Sequence, residues 1–144
     1  MAAAVKFQDF AEQLGKAVHN LATGALKIML SNTAPSATNT VKADITEITA
    51  GNGYSAGGTA LPSQSYTETG GTGTLTANKV TFTASGGSIG PFRYAVLYND
   101  TPTSPADPLI QYWDYGSGVT ITDGNSFDVK FSNQDTAGTV LTLA

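Results

Sequence analysis

The sequence predicts an all-β fold: a single-domain β-sandwich or jelly-roll-like barrel of about nine strands, with one amphipathic helix at its N-terminus. Three observations predict it. Apolar residues alternate along short runs from residue 25 onward, which is the period of a strand. Turn residues interrupt those runs about every 8 to 12 positions. Only 12% of the 144 residues are charged, about half the usual share, while Thr, Ser, Gly and Asn carry the polarity and favour strands and tight turns over exposed helices. One domain is expected, 1–144, with 1–24 as an N-terminal arm and helix and 25–144 as the β domain.

Residues 1–4 read as a small apolar arm. Phe7, Phe10, Leu14, Val18 and Leu21 then recur at steps of 3, 4, 4 and 3, one stripe of a helix. Asp9 falls in its first turn and His19 near its last, as the helix dipole prefers. Gly24 is the expected terminator. Leu26, Ile28 and Leu30 alternate with Lys27, Met29 and Ser31 as a first long strand. A Pro/Ser/Thr/Asn loop follows, and residues 41–49 fit either a helical turn or an irregular edge strand. Residues 51–59, GNGYSAGGT, hold four glycines in nine and must form a loop, with Tyr54 as its anchor. No Lys-Ser/Thr and no helix follow the glycines, so the run lacks the parts of a phosphate cradle.

Residues 60–69 alternate weakly, and Pro62 suggests an edge. Gly70-Gly71 turns the chain. Residues 73–77 and 79–84 read as a hairpin joined at Ala77-Asn78. SIGPFRYAVLYND, residues 88–100, reads as the central strand. Phe92, Tyr94, Val96 and Tyr98 share one face; Arg93, Ala95, Leu97 and Asn99 share the other. Both faces are apolar at their centre, so something must pack over each. Residues 109–115, LIQYWDY, form the next strand, and Gly116 to Gly118 is expected to turn it. Asp123-Gly124 between residues 119–122 and 127–131 is a strong hairpin signal. The last strand spans about residues 139–143.

Seven basic against 11 acidic residues give a net charge of −4. The basic residues are scattered, so no nucleic-acid partner is expected. No apolar run approaches the ~20 residues of a membrane helix, and the N-terminus lacks the order of a signal peptide, so neither a membrane nor export is expected. There is no Cys, which excludes disulfides and thiolate metal sites. His19 is the sole histidine, too little for a catalytic triad or a zinc site. Asp100, Asp107, Asp114, Asp123 and Asp128 cluster in the second half without a calcium-loop pattern or a selected carboxylate pair. Asn99-Asp100-Thr101 matches a glycosylation acceptor, which carries no weight without export. No enzyme, cofactor or metal is therefore expected. The candidate partner-contact residues are Phe7, Phe10 and Leu14 on the helix and Tyr112, Trp113 and Tyr115 in the densest aromatic group, since Tyr and Trp are enriched at interface hot spots.

KAVHNL, ALKIMLSNTAP, ADITEI, GNGYSAGGTA, GGSIGPFRYAVLYND and the ending from YWDYG into the 123–124 turn together resemble a family of small tailed-bacteriophage virion proteins. The resemblance runs from about Phe7 to Leu143. It implies a virion component and, for a small β protein, a capsid decoration (cement) protein on the outer head surface. The partners implied are the major capsid protein and copies of the chain itself, as a homotrimer, because closed oligomers suit symmetric shell sites. The alternative is a tail or fibre component that binds host glycans through Tyr112, Trp113 and Tyr115. The arm and helix of residues 1–24 are expected to supply an inter-subunit or capsid contact.

Overall fold

A computed structural model describes residues 3–132 and 137–144; the arm expected at residues 1–4 thus lies half outside the described residues. Ten strands and one short helix follow in order: β1 (Val5–Lys6), α1 (Asp9–Gly15), β2 (Leu26–Ser31), β3 (Thr59–Ala60), β4 (Ser65–Thr69), β5 (Thr72–Ala77), β6 (Val80–Thr83), β7 (Ile89–Asn99), β8 (Leu109–Ile121), β9 (Ser126–Val129) and β10 (Gly138–Leu143). The fold is all-β. A five-stranded sheet has the order β1-β8-β7-β2-β3, a second sheet β10-β5-β4, and β6 pairs with β9. Every pairing is antiparallel.

β7 is central, as its sequence requires. It pairs with β2 from Leu26↔Asn99 to Ser31↔Tyr94 and with β8 on its other side. Its Ala95 and Leu97 join Leu26, Ile28 and Leu30 of β2 in the main core. Leu75, Val80, Phe82, Val129 and Leu141, from the two smaller sheets, close that core from above. The arrangement is sandwich-like, with the five-stranded sheet as one layer. On the opposite face Val96, Tyr98 and Met29 form a second cluster with Phe7, Ile45 and Leu109.

The phase of β7 differs from the simple alternation. Phe92 lies in the main core with Ala95 and Leu97, not with Tyr94, Val96 and Tyr98. Between Phe92↔Val119 and Tyr94↔Asp114 two steps of β7 face five steps of β8, so the ladder is interrupted there and the alternation does not carry across it.

Further expectations are corrected. The helix is seven residues long and stops at Gly15. Ala17 adopts φ +60°; the Val18 N–H donates to Gln13 O (2.9 Å) and the Ala17 N–H to Leu14 O (3.1 Å), the double bond of a Schellman stop. His19 therefore sits beyond the helix. Residues 5–24 are also built into the fold: β1 pairs with Gln111 and Tyr112 of β8, and Phe10 and Leu21 lie in the main core. Residues 73–77 and 79–84 form no hairpin, because β5 pairs with β4 and β10 while β6 pairs with β9. Finally, β8 does not turn at Gly116 to Gly118 but continues past them, with an irregular stretch between Asp114 and Val119 where Gly116 takes φ +99°. The Asp123-Gly124 turn is present, but Val119 and Ile121 pair with β7 and Phe127 pairs with Phe82 of β6. A turn residue sets the reversal; it does not choose the neighbour.

The glycine loop packs as its composition suggests. Tyr54 is buried; its hydroxyl accepts the Leu30 N–H (3.0 Å) and donates to Glu47 Oε1 (2.7 Å). Gly58, at φ +79°, lies so close to the β2 backbone that a Cβ would meet Ile28 O at 1.9 Å. Only glycine fits there.

Candidate interaction site

β8 carries three of the six candidate residues, and alternation divides them. Tyr112 turns to the second cluster, its ring 5.2 Å from Phe7. Trp113 points into the main core, 5.8 Å from Phe131 and only 5% exposed. Tyr115, two residues on, shares the Trp113 side but lies beyond the cover of the core and is 54% exposed. The three rings therefore form no common platform. Phe7 and Phe10 are buried within the chain, and Leu14 is half-buried against the main core. The apolar surface of Phe7 and Phe10 is used within the chain. Phe7 precedes the first turn of α1, which is why it leaves the helical stripe and faces the other way.

Of the candidates, Tyr115 remains as a surface group. Its ring meets Phe127 edge-on at 5.4 Å, and Phe127 in turn meets Phe92 edge-on at 5.2 Å. Such T-shaped contacts favour a fixed ring orientation. Beside it the Arg93 guanidinium grips Asp114 with two bonds, Nε to Oδ1 at 2.7 Å and Nη2 to Oδ2 at 3.0 Å. Arg93 also lies over the Tyr94 ring, 5.5 Å from its centroid. The Gly116 N–H adds a third bond to Asp114 Oδ1 (2.8 Å). The Arg93 hydrogen bonds, then the Gly116 N–H, hold the Asp114 carboxyl below the usual carboxylate range; the Asp114 carboxylate holds Arg93 above its own. Both partners stay charged across ordinary pH.

Between Tyr115, Arg93, Tyr94, Trp113 and Phe127 lies a cleft of about 10 Å³. That is the space of about one water molecule. The structure places here one exposed aromatic ring backed by Phe127, with the Arg93–Asp114 ion pair on adjoining residues. Sequence reasoning singled out Tyr115 and Trp113 from their density; Trp113 is buried and Tyr115 exposed. It missed Arg93, Phe127 and the division of Tyr112 from its neighbours. The signal for Arg93 is the Tyr94↔Asp114 register of β7 and β8, which no local pattern shows.

A second hollow, about 380 Å³, lies among Leu14, Ala17, His19, Leu21, Tyr66 and Leu143. His19 is buried. Asn99 Oδ1 accepts the Thr101 N–H (3.1 Å), so its Nδ2 donates to His19 Nδ1 (3.2 Å) and the ring proton resides on Nε2. Nε2 has no hydrogen-bond partner among the described residues. Burial pushes His19 down to about 4, against the opposing pull of Asp9. The ring is neutral at pH 7.

Of the acidic residues that cluster in sequence, Asp100 and Asp107 meet through a side-chain hydrogen bond, and burial followed by Asp100 holds the Asp107 carboxyl above the usual carboxylate range; the others lie apart. Asp100 pairs with Lys27 (2.8 Å), Asp128 with Lys79 (3.2 Å) and Thr81 (2.7 Å), and Asp123 accepts the Gly86 N–H (3.0 Å). No helix among the described residues is long and apolar enough to cross a membrane. No family model, no curated protein and no solved structure matches this chain.

Proposed function

We propose that this chain is a structural component of a tailed-bacteriophage virion: a non-catalytic decoration protein on the outer surface of the head, in contact with the major capsid protein and with copies of itself. The observation that carries the reading is Tyr115, 54% exposed yet braced by Phe127 and flanked by the Arg93–Asp114 pair. An ordered aromatic inside a polar rim is the anatomy of an interface hot spot. The motifs of residues 16–21, 25–35, 43–48, 51–60 and 86–100 support the choice of assembly. The low charge of the surface supports close packing of neighbours with little repulsion.

Shells assembled without this chain provide the test. Added protein is expected to sediment with heads to saturation, and Tyr115→Ala to weaken that binding at least about tenfold. Labelling confined to tails, or no binding to heads, overturns the reading. A glycan-binding tail component is the second reading, favoured by the exposed Tyr115 ring on a cleft that Arg93 also lines. It requires glycan binding that Tyr115→Ala abolishes.

A further inference from the structure

Free sheet edges are where a β protein meets other chains, and natural edges are blunted by shortness, Lys, Pro or a bulge. Most edges here follow that rule. β3 is two residues long and leads towards Pro62. β1 is equally short and ends in Lys6, whose Nζ donates to Thr142 O (2.9 Å). β10 shifts register between Thr139 and Leu141. β6 and β9 have four residues each and lie beside Lys79 and Lys130. β4 differs. It is five residues long, pairs with β5 at every position from Ser65↔Thr76 to Thr69↔Thr72, and contains no Lys, no Pro and no register shift. Four of its residues are exposed and Tyr66 is half-buried.

The turn after β4 fixes which of its backbone groups are free. Gly70 and Gly71 have φ +61° and +89°, so this is a two-residue turn of the I′ kind. The pair that closes such a turn, Thr69 and Thr72, exchanges both hydrogen bonds. Thr67 and Ser65 then also direct their N–H and C=O groups to β5, while Tyr66 and Glu68 direct theirs away from the sheet.

We propose that β4 pairs antiparallel with β4 of a second copy of this chain, across a two-fold axis at Thr67. In that register Tyr66 of each copy faces Glu68 of the other. Both are residues with outward backbone groups, so the two pairs make four main-chain hydrogen bonds. Thr67 faces the second copy's Thr67 at a non-hydrogen-bonded position, and Ser65 faces Thr69. Hydroxyl pairs of this kind stabilise antiparallel neighbours. The strand's one charge, Glu68, stands opposite a tyrosine, so no like charges are directly opposed. Backbone parity and charge are satisfied together by self-pairing, which is the reason to choose a second copy over an unrelated strand. The assembly is isologous and closes at two, and its joined sheet reads β10-β5-β4-β4-β5-β10. The inference stands independently of shell binding. It replaces the threefold association expected from symmetric shell sites with a two-fold one.

The chain has no cysteine, which makes a register-specific test available. Thr67→Cys is expected to form a disulfide dimer on mild oxidation, because facing Cα atoms at that kind of position lie about 4.5 Å apart, within disulfide reach. Thr69→Cys faces Ser65 instead and is expected to cross-link several-fold more slowly. Without cross-linking, sedimentation of the native chain is expected to show reversible association to twice the 14.8 kDa chain mass. Thr67→Lys opposes two lysines and raises the dissociation constant about tenfold; mixing it with Thr67→Glu restores association. Thr67 is exposed, and circular dichroism checks that each variant keeps its fold. A native chain that stays monomeric through the millimolar range, or a Thr67→Cys variant that cross-links no faster than Thr69→Cys, overturns the proposal.

Discussion

Ile28 and Met29 are neighbours in β2 and both are fully buried, yet they enter two differently built regions. Ile28 faces strands: its core is shared with Leu75, Val80, Phe82, Val129 and Leu141 of the smaller sheets. Met29 faces no sheet. Its cluster is closed by Phe7, from the turn before α1, and Ile45, from the loop after the 3-10 turn at Lys42–Asp44. Hydrogen bonds and charge tie loops to that second side. Tyr98 donates to Gly57 O (2.6 Å), the Gly57 N–H donates to Glu47 Oε1 (2.6 Å), and Lys42 lies 3.7 Å from Glu47 Oε2 and 5.8 Å from the Tyr98 ring centroid. A strand apolar on both faces needs cover on both; the cover need not be a second sheet.

The largest expected effect tests this contrast directly. Ile28→Ala is expected to lower global stability by about 4 kcal/mol and Met29→Ala by about 2 to 3 kcal/mol, because a loop cover collapses onto a cavity more readily than a packed sheet does. Urea unfolding followed by the fluorescence of Trp113 measures both. Equal costs would mean the loop side is as rigid as the strand side, and the contrast would fail.

The second effect belongs to the strand side. His19 packs against Phe10 with ring centroids 5.2 Å apart. Burial pushes its pKa down to about 4 in the folded chain, against about 6.5 unfolded. The unfolded chain therefore binds more protons between those values, and stability falls as pH is lowered through that window. The contribution is complete above about pH 6.5, and its loss by pH 4 is up to about 3 kcal/mol from this group. Asp44, Asp100 and Asp128 are held below the usual carboxylate range. Their contributions are lost only at still lower pH, and Asp107, raised by burial and by Asp100, acts in the opposite sense, so the histidine contribution is read as the difference between the native chain and His19→Gln. Unfolding curves at pH 7.5, 6 and 5 are expected to diverge for the native chain and to diverge less for His19→Gln.

Much of this architecture was legible. The two apolar faces of residues 92–99, the strand at residues 26–31, the loop anchored by Tyr54 and the turns at Gly70-Gly71 and Asp123-Gly124 all follow from local pattern. Strand partners do not. Alternation states which side chains share a face and is silent about the neighbouring strand, so β5 and β6 looked like a hairpin. Register shifts at Phe92 and beside Leu97 also reset the parity on which face assignments rest. The helix stripe ran too long because Val18 and Leu21 stay apolar after the chain has already turned at Ala17. At the candidate site, aromatic density marked Tyr115, while its ion-paired rim depends on the register of two strands about 20 residues apart.

A smaller change probes the loop side. Tyr98→Phe removes the hydroxyl that donates to Gly57 O and little else. A loss of about 1 kcal/mol is expected, with faster amide exchange of Gly57 and its neighbours relative to the amides of β5 and β6. Uniformly faster exchange across the molecule would show that the loop opens only with the whole fold, and the two sides would then be one cooperative unit.

The smallest effect concerns the segment that spans both sides. α1 gives Phe10 to the main core while Phe7, just before it, closes the second cluster. The residues at its end look exchanged: Gly15 is helical with open space where a Cβ would lie, and Ala17 takes φ +60°. An L-residue in that conformation costs about 1 kcal/mol, and glycine in a helix costs about the same relative to alanine. The swap Gly15→Ala with Ala17→Gly keeps the Schellman stop and relieves both costs. Part of the gain is lost to the extra freedom that glycine gives the unfolded chain at position 17, which leaves a stabilisation of about 1 kcal/mol. Thermal unfolding reads the result. A raised midpoint means that α1 melts with the sheets it covers; an unchanged midpoint means that the helix frays on its own and that Phe10 contributes to the core without it.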